Sequence, residues 1–297
     1  MAMASLKQVF GAVLGGSSTL FATSALAQQP VDGGLGFQPS VTTLMDDIVW
    51  FHDVLLMPII TLTTVFVLAL LLYVMWRFSA KRNPNPSSTT HHSLLEVIWT
   101  GVPILILVVI AIPSFRILYD QEVVPETELT IEVTGNQWYW SYEYPEAGVS
   151  FDANPDFEGD DPATGKWREP RLLTTDNQVV LPVDTNIEVL INAADVIHSW
   201  TIPSFGVKKD ATPGRTNHVW FNARETGTYY GQCSEICGLN HGYMPIEVKI
   251  VSKEDYASWL AEAKLAMGEG RDMPNVDKMI AQRKNGTSSS TFVATAE

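Results

Sequence analysis

Cysteine is scarce in this chain, which has two in 297 residues, Cys233 and Cys237. Two are too few for a disulfide-rich scaffold or a four-cysteine iron–sulfur or zinc site. Without Cys-x-x-Cys-His there is also no covalent c-type haem. Basic side chains are few as well: 19 Lys and Arg face 33 Asp and Glu, a formal net charge of −14. That balance argues against nucleic acid and against an anionic membrane surface, and favours basic partners. Charge of either sign is sparse in residues 1–116, which hold five bases and five acids, so the whole acidic excess lies beyond Arg116. An apolar part precedes an acidic polar part.

The apolar part is organised in runs. Residues 1–27 carry Lys7, no acid and the ending Ala25-Leu26-Ala27, the pattern of a secretory signal peptide cleaved before Gln28. Residues 28–47 then form an outer N-terminal segment, and residues 48–119 a helical hairpin. Within it Val54–Trp76 and Val97–Phe115 are uncharged for 23 and 19 residues, long enough to cross a lipid bilayer. Trp50, Tyr73, Trp76, Trp99 and Tyr119 near the ends resemble interfacial belts. Arg77, Lys81 and Arg82 in the connecting loop place it in the cytoplasm by the positive-inside bias, with both termini outside. Ser93-Leu94-Leu95-Glu96 reads as a capping box, with Glu96 stabilising the start of the second span.

Beyond Asp120 the pattern alternates. Strands are expected at Glu128–Thr134, Gln137–Tyr144, Ile187–Ile191, His218–Asn222, Thr228–Gln232 and Ile246–Val251. Short strands without helical crossovers predict an antiparallel sandwich or barrel over residues 120–252. Alternation puts Trp138, Trp140, Tyr142 and Tyr144 on one face and Tyr139 on the other. Asp152–Pro170, rich in Asp, Pro and Gly, reads as a long exposed loop. A helix opens at Ser252 and covers residues 253–267; residues 268–297 read as a mobile polar tail.

Chemistry concentrates between Cys233 and Met244. Two thiols, the His241 imidazole and the Met244 thioether fall within twelve residues, and His198 lies 35 residues upstream on a strand-like segment. Soft sulfur with imidazole selects copper or zinc over magnesium or calcium. Three readings stay open on ligand chemistry alone. Two thiolates could bridge a pair of coppers, each completed by one His and one weaker ligand. The two cysteines could form a tight disulfide, which leaves His241 and Met244 unexplained. Zinc could take both Cys and both His, though it gains little from a thioether.

The sequence resembles subunit II of the haem–copper cytochrome c oxidases, of bacterial or mitochondrial type. The likeness is carried by Glu96-Val97-Ile98-Trp99-Thr100, by Gln137-Trp138-Tyr139-Trp140-Ser141-Tyr142-Glu143-Tyr144 and by Asp195-Val196-Ile197-His198-Ser199-Trp200. Asp210-Ala211-Thr212-Pro213-Gly214-Arg215 and Tyr229 through Pro245 complete it. It spans roughly residues 40–260 and is weak over residues 153–168. The resemblance implies a two-helix transmembrane hairpin plus an all-β cupredoxin-like Greek-key sandwich. It further implies two copper ions on His198, Cys233, Cys237, His241, Met244 and the backbone carbonyl of Glu235, with the Glu235 carboxylate helping to bind magnesium against subunit I. Trp138 takes the family's electron-uptake position and Glu96 that of a proton-path entrance. Haem is expected only in a partner subunit, where oxygen is reduced within a proton-pumping complex. Glu143, Glu146, Asp152 and Asp195 are candidate docking acids for a basic cytochrome c. The expected location is a bacterial inner membrane with periplasmic termini. A quinol oxidase subunit would lack the copper ligands, and a nitrous-oxide reductase copper domain would lack the two spans. A membrane-anchored copper carrier would release its metal readily to a chelator.

Overall fold

Backbone polar groups find no water inside a bilayer, so an apolar run that crosses one must bond internally as a helix. The computed structural model of the protein describes residues 29–31 and 33–284; the expected signal peptide lies outside the described residues. Helix α1 (Thr43–Trp50) passes through a π-helical stretch, Phe51–Leu56, into α2 (Met57–Arg77). Together they make one 35-residue rod whose apolar window is unburied. Helix α3 (Ser93–Glu122) is the second such rod, and side chains such as Leu105, Leu107 and Ile112 stand exposed along it. An apolar surface of that extent needs lipid or other spans around it.

The start of α3 differs in detail from the expected capping box. Its N-cap is His92 rather than Ser93: the His92 ring nitrogen accepts from the Leu95 amide at 3.4 Å. Glu96 Oε1 accepts from the His92 amide at 3.4 Å, so the carboxylate does close the helix start, one residue out of the expected register.

The polar part folds as strands β1 (Leu129–Asn136), β2 (Tyr139–Tyr144), β3 (Val149–Ala153), β4 (Phe157–Glu158), β5 (Lys166–Trp167) and β6 (Val179–Pro182). They are followed by β7 (Ile187–Ala193), β8 (His198–Ile202), β9 (Val207–Ala211), β10 (Asn217–Phe221), β11 (Gly227–Gln232) and β12 (Pro245–Val251). One sheet runs β10-β7-β1-β2-β3 and another β11-β12-β6, with β8-β9 and β4-β5 as separate hairpins. The expected purely antiparallel pairing is corrected at two places, since β1 pairs with β7 and β12 with β6 in parallel. Long connections carry the chain across between the partners, a geometry that alternation alone does not reveal. Ile131, Val133, Trp140, Val189, Ile191, Val248 and Ile250 fill the space between the layers.

Two further expectations change. Residues 152–170 are not wholly an exposed loop: β4 and β5 form a short hairpin, and Trp167 is buried against Tyr243. Beyond Gly268 the chain is not all tail. Helix α4 (Lys253–Glu269), capped by Ser252, is followed by α5 (Val276–Lys284), whose Val276 is buried and whose Met279 and Ile280 pack on the core. Spaced apolar side chains in a polar stretch were enough to dock it.

The outer domain is fastened to the rods at one joint. The turn after β8, Pro203–Phe205, receives the Val41 amide on the Ser204 carbonyl (3.2 Å) and the Thr42 hydroxyl on the Phe205 carbonyl (2.8 Å). From α3, the Asp120 carbonyl accepts from Trp220 Nε1 at 3.0 Å, and Glu122 pairs with Lys209 at 2.7 Å. The strand that carries His198 is therefore tied directly to the membrane-crossing part.

Candidate metal centre

β8 delivers His198 at its first residue, and the loop after β11 delivers both cysteines. The Cys233 amide donates to the Met244 carbonyl at 3.0 Å, which brings the two ends of the loop together at the head of β12. The Ser234 amide donates to the Ser199 carbonyl at 3.1 Å, pinning the same loop to β8. Gly135 lets β1 approach the imidazole, since a Cβ there would lie 2.8 Å from His198 Cδ2.

The outcome is a compact soft-donor cluster. The two sulfurs lie 3.8 Å apart, both as free thiols. His198 Nδ1 is 3.8 Å from Cys233 Sγ, and His241 Nδ1 is 3.6 Å from Cys237 Sγ. Each sulfur thus faces the other and one imidazole. His198, Cys233, Cys237 and Met244 are buried, and His241 is half-buried in a short 3-10 turn, His241–Tyr243. Cys233 Sγ also lies 3.4 Å from the Glu235 carbonyl oxygen, while the residue itself is exposed. A sulfur–sulfur separation near 2 Å would mark a disulfide; this pair instead brackets a space lined by thiol and imidazole donors. That donor chemistry fits a soft metal and suits copper well.

Electrostatics reinforce the arrangement. Burial disfavours the Cys233 thiolate, but hydrogen bonds from His198 and the Ser199 amide outweigh it and hold the thiol below its ordinary value. Burial and the facing Cys233 charge push Cys237 the other way. Two thiolates this close repel, and a cation between them removes the conflict.

The structure adds residues that sequence reasoning placed elsewhere or missed. Asp195, expected as a docking acid, accepts from His198 Nε2 at 2.8 Å and from the amides of Gln137 and Val196 at 2.7 and 2.6 Å. It fixes the imidazole that faces Cys233. Gln137 Nε2 donates to the Cys237 carbonyl at 2.7 Å. Trp138 lies just before β2, which starts at Tyr139: it sits half-buried in the preceding turn and packs against the core that Trp140, Tyr142 and Tyr144 enter. Its ring lies along Gly238, where a Cβ would stand 3.1 Å from Trp138 Cζ2. Its indole nitrogen is buried without a hydrogen-bond partner among the described residues. Glu143, Glu146 and Asp152 are exposed, and Asp152 accepts from the Ser141 hydroxyl at 2.6 Å. Glu96 lies at the far end of α3, apart from this centre.

A buried thiol–imidazole cluster at one end of a β-sandwich, carried on two membrane-crossing helices, defines a membrane-anchored metalloprotein with a cupredoxin-like outer domain. Residues 129–251 match the family described as cytochrome C oxidase subunit II, periplasmic domain, and residues 30–117 its transmembrane domain. A cytochrome c oxidase subunit 2 of Cereibacter sphaeroides is 45% identical over 86% of this chain and 91% of its own. The protein of the same name from Oenothera berteroana is 44% identical over 82% of this chain and 95% of its own. The solved periplasmic domain of subunit II of cytochrome oxidase from Bradyrhizobium japonicum is 48% identical, covering 48% of this chain and 97% of that one, with a TM-score of 0.43. The chain belongs to the cytochrome c oxidase subunit II family. Its electron-transfer role in a haem–copper oxidase follows from that membership, as do a copper centre and association with other oxidase subunits.

Proposed function

We propose that the chain takes electrons singly from reduced cytochrome c at a dinuclear copper centre and passes them to haem in subunit I. The observation that carries this reading is the pair of free thiols 3.8 Å apart, each faced by one imidazole nitrogen. Cys233, Cys237, His198, His241, Met244 and the Glu235 carbonyl would together hold the copper ions. When bound, the copper pair supplies a one-electron acceptor whose change of charge is shared over two metals.

The protein's own residues do the rest. Asp195 holds the His198 ring through Nε2, leaving Nδ1 for the metal side. The sandwich core and the joint at Pro203–Phe205 keep the ligands rigid, so little structure need rearrange at each electron transfer. Trp138, against Gly238 and one residue from the Gln137 bond to Cys237, is the electron relay from the surface. The exposed Glu143, Glu146 and Asp152 attract a basic cytochrome and raise its encounter rate. The exposed Glu235 contributes a magnesium ligand toward subunit I, and Glu96 stands at a proton-path entrance. The chain sits in a bacterial inner membrane with both termini in the periplasm. The mature N-terminal segment, free of Lys and Arg, supports that orientation beside the basic loop.

Copper quantitation and an electron-spin spectrum of the purified oxidase test the reading. Two coppers in the outer domain and a hyperfine pattern from two equivalent nuclei are expected. One copper, or an intact disulfide without metal, would refute it.

A further inference from the structure

The excursion between β3 and β6 grips the metal-binding loop from outside at three places. Trp167 packs on Tyr243, with ring centroids 6.4 Å apart and planes 23° from parallel. Tyr243 closes the short turn that opens with His241 and directly precedes Met244. At the other end of the loop, Gln232, next to Cys233, donates from Nε2 to the Leu172 carbonyl at 3.4 Å. The third place is Glu247, three residues past Met244 on β12 and almost fully buried. Its Oε2 accepts from the Thr175 amide at 2.8 Å and pairs with Arg168 at 3.3 Å, and Oε1 accepts from Gln178 at 2.7 Å. Arg168 in turn bonds Asp156 at 2.7 Å and the Thr175 carbonyl at 2.8 Å, so the excursion is closed on itself before it is closed on β12.

A solvated loop needs none of this. A large indole is buried outside the main core, and a carboxylate is buried inside a sheet to receive a loop amide and a guanidinium. Burying a charge is costly unless it is paired and hydrogen-bonded, and here every partner comes from the excursion. The contacts converge on the residues flanking Cys233, His241 and Met244.

We propose that Trp167 and Glu247 are positioning residues for the metal centre, clamping the excursion over the ligand loop so that His241 and Met244 stay in place. This rests on the reading that copper binds the Cys233–Met244 loop. Outer residues that orient ligands commonly change metal affinity by about ten- to a hundredfold when removed.

The test uses the oxidase complex assembled with Trp167→Ala, Trp167→Phe or Glu247→Ala in this chain. Copper release to a copper(I) chelator, the hyperfine splitting of the copper spectrum and the thermal midpoint are measured on one preparation. Release should be faster by roughly tenfold in Trp167→Ala and Glu247→Ala, with altered hyperfine splitting, and Trp167→Phe should restore both. A lower midpoint with wild-type release and unchanged splitting would overturn the proposal and leave the clamp as a stabilising cover. Failure of Glu247→Ala to assemble shifts the decision to the two Trp167 variants. Wild-type protein without a two-copper signal would defeat the underlying copper reading instead, so the two failures are distinguishable.

Discussion

The Asp195 carboxylate accepts a hydrogen bond from His198 Nε2 at 2.8 Å, while Nδ1 of the same ring lies 3.8 Å from Cys233 Sγ. One imidazole is thus held between an acid and a thiol, with Asp195 secured by two backbone amides. Asp195→Asn keeps the shape but removes the charge that raises ring basicity. Copper retention against chelator should weaken by about tenfold, the lower range for such outer groups, with a shifted spectrum. Wild-type retention and spectrum would return Asp195 to the role of a docking acid alone.

Trp138→Phe tests the proposed relay role separately from copper binding. Copper content and spectrum should stay near normal while single-turnover electron uptake from cytochrome c drops severely. Cytochrome affinity should change only modestly, because the indole supplies contact area and no charge. If Trp138 were merely a packing residue, stability and copper retention would fall instead, with normal uptake in the folded remainder.

Docking should respond to salt. The second-order oxidation of cytochrome c should slow as ionic strength shortens the screening length from about 10 Å at 0.1 M. Glu143→Gln with Glu146→Gln should flatten that dependence without touching the metal centre. An equal salt slope in the double variant would locate the docking charge elsewhere.

Burial is the main cause that raises the Glu247 carboxyl above its ordinary 4.5, outweighing the opposing bonds from Gln178, Thr175 and Arg168. A carboxyl whose pKa is higher in the folded state binds more protons there. Its contribution to stability is complete below 4.5 and fades as pH rises through the folded value. Glu247→Gln is neutral throughout, so the thermal midpoint of the variant should fall less over that interval. Parallel midpoint curves for the two proteins would contradict this.

Gly206 follows the turn that joins the outer domain to the rods, with φ of 71°, and a Cβ would lie 3.0 Å from Met45 Cα. Gly206→Ala should cost about 1–2 kcal/mol from the left-handed backbone alone, with added crowding at the joint. Denaturant unfolding measures it, and an unchanged midpoint would mean that the joint yields freely.

The sequence by itself determined the two rods, the β domain and the identities of the clustered donors. Long uncharged runs and soft ligands at short spacing are local signals: length decides what can cross a bilayer, and sulfur with imidazole decides which metals fit. The capping helix at Ser252 was legible for the same reason, because its bonds stay within one turn. Tertiary structure alone decided that Asp195 serves His198 and that Trp138, in the turn before β2, lies against Gly238. It also turned a stretch that read as exposed loop into a grip on Tyr243 and Glu247, and joined the Pro203–Phe205 turn to residues 41–45. Each of these depends on partners brought together from distant parts of the chain, where alternation and propensity carry no information. Burial then fixes the geometry, because a polar group taken out of water must find its bonds among whatever neighbours the fold supplies.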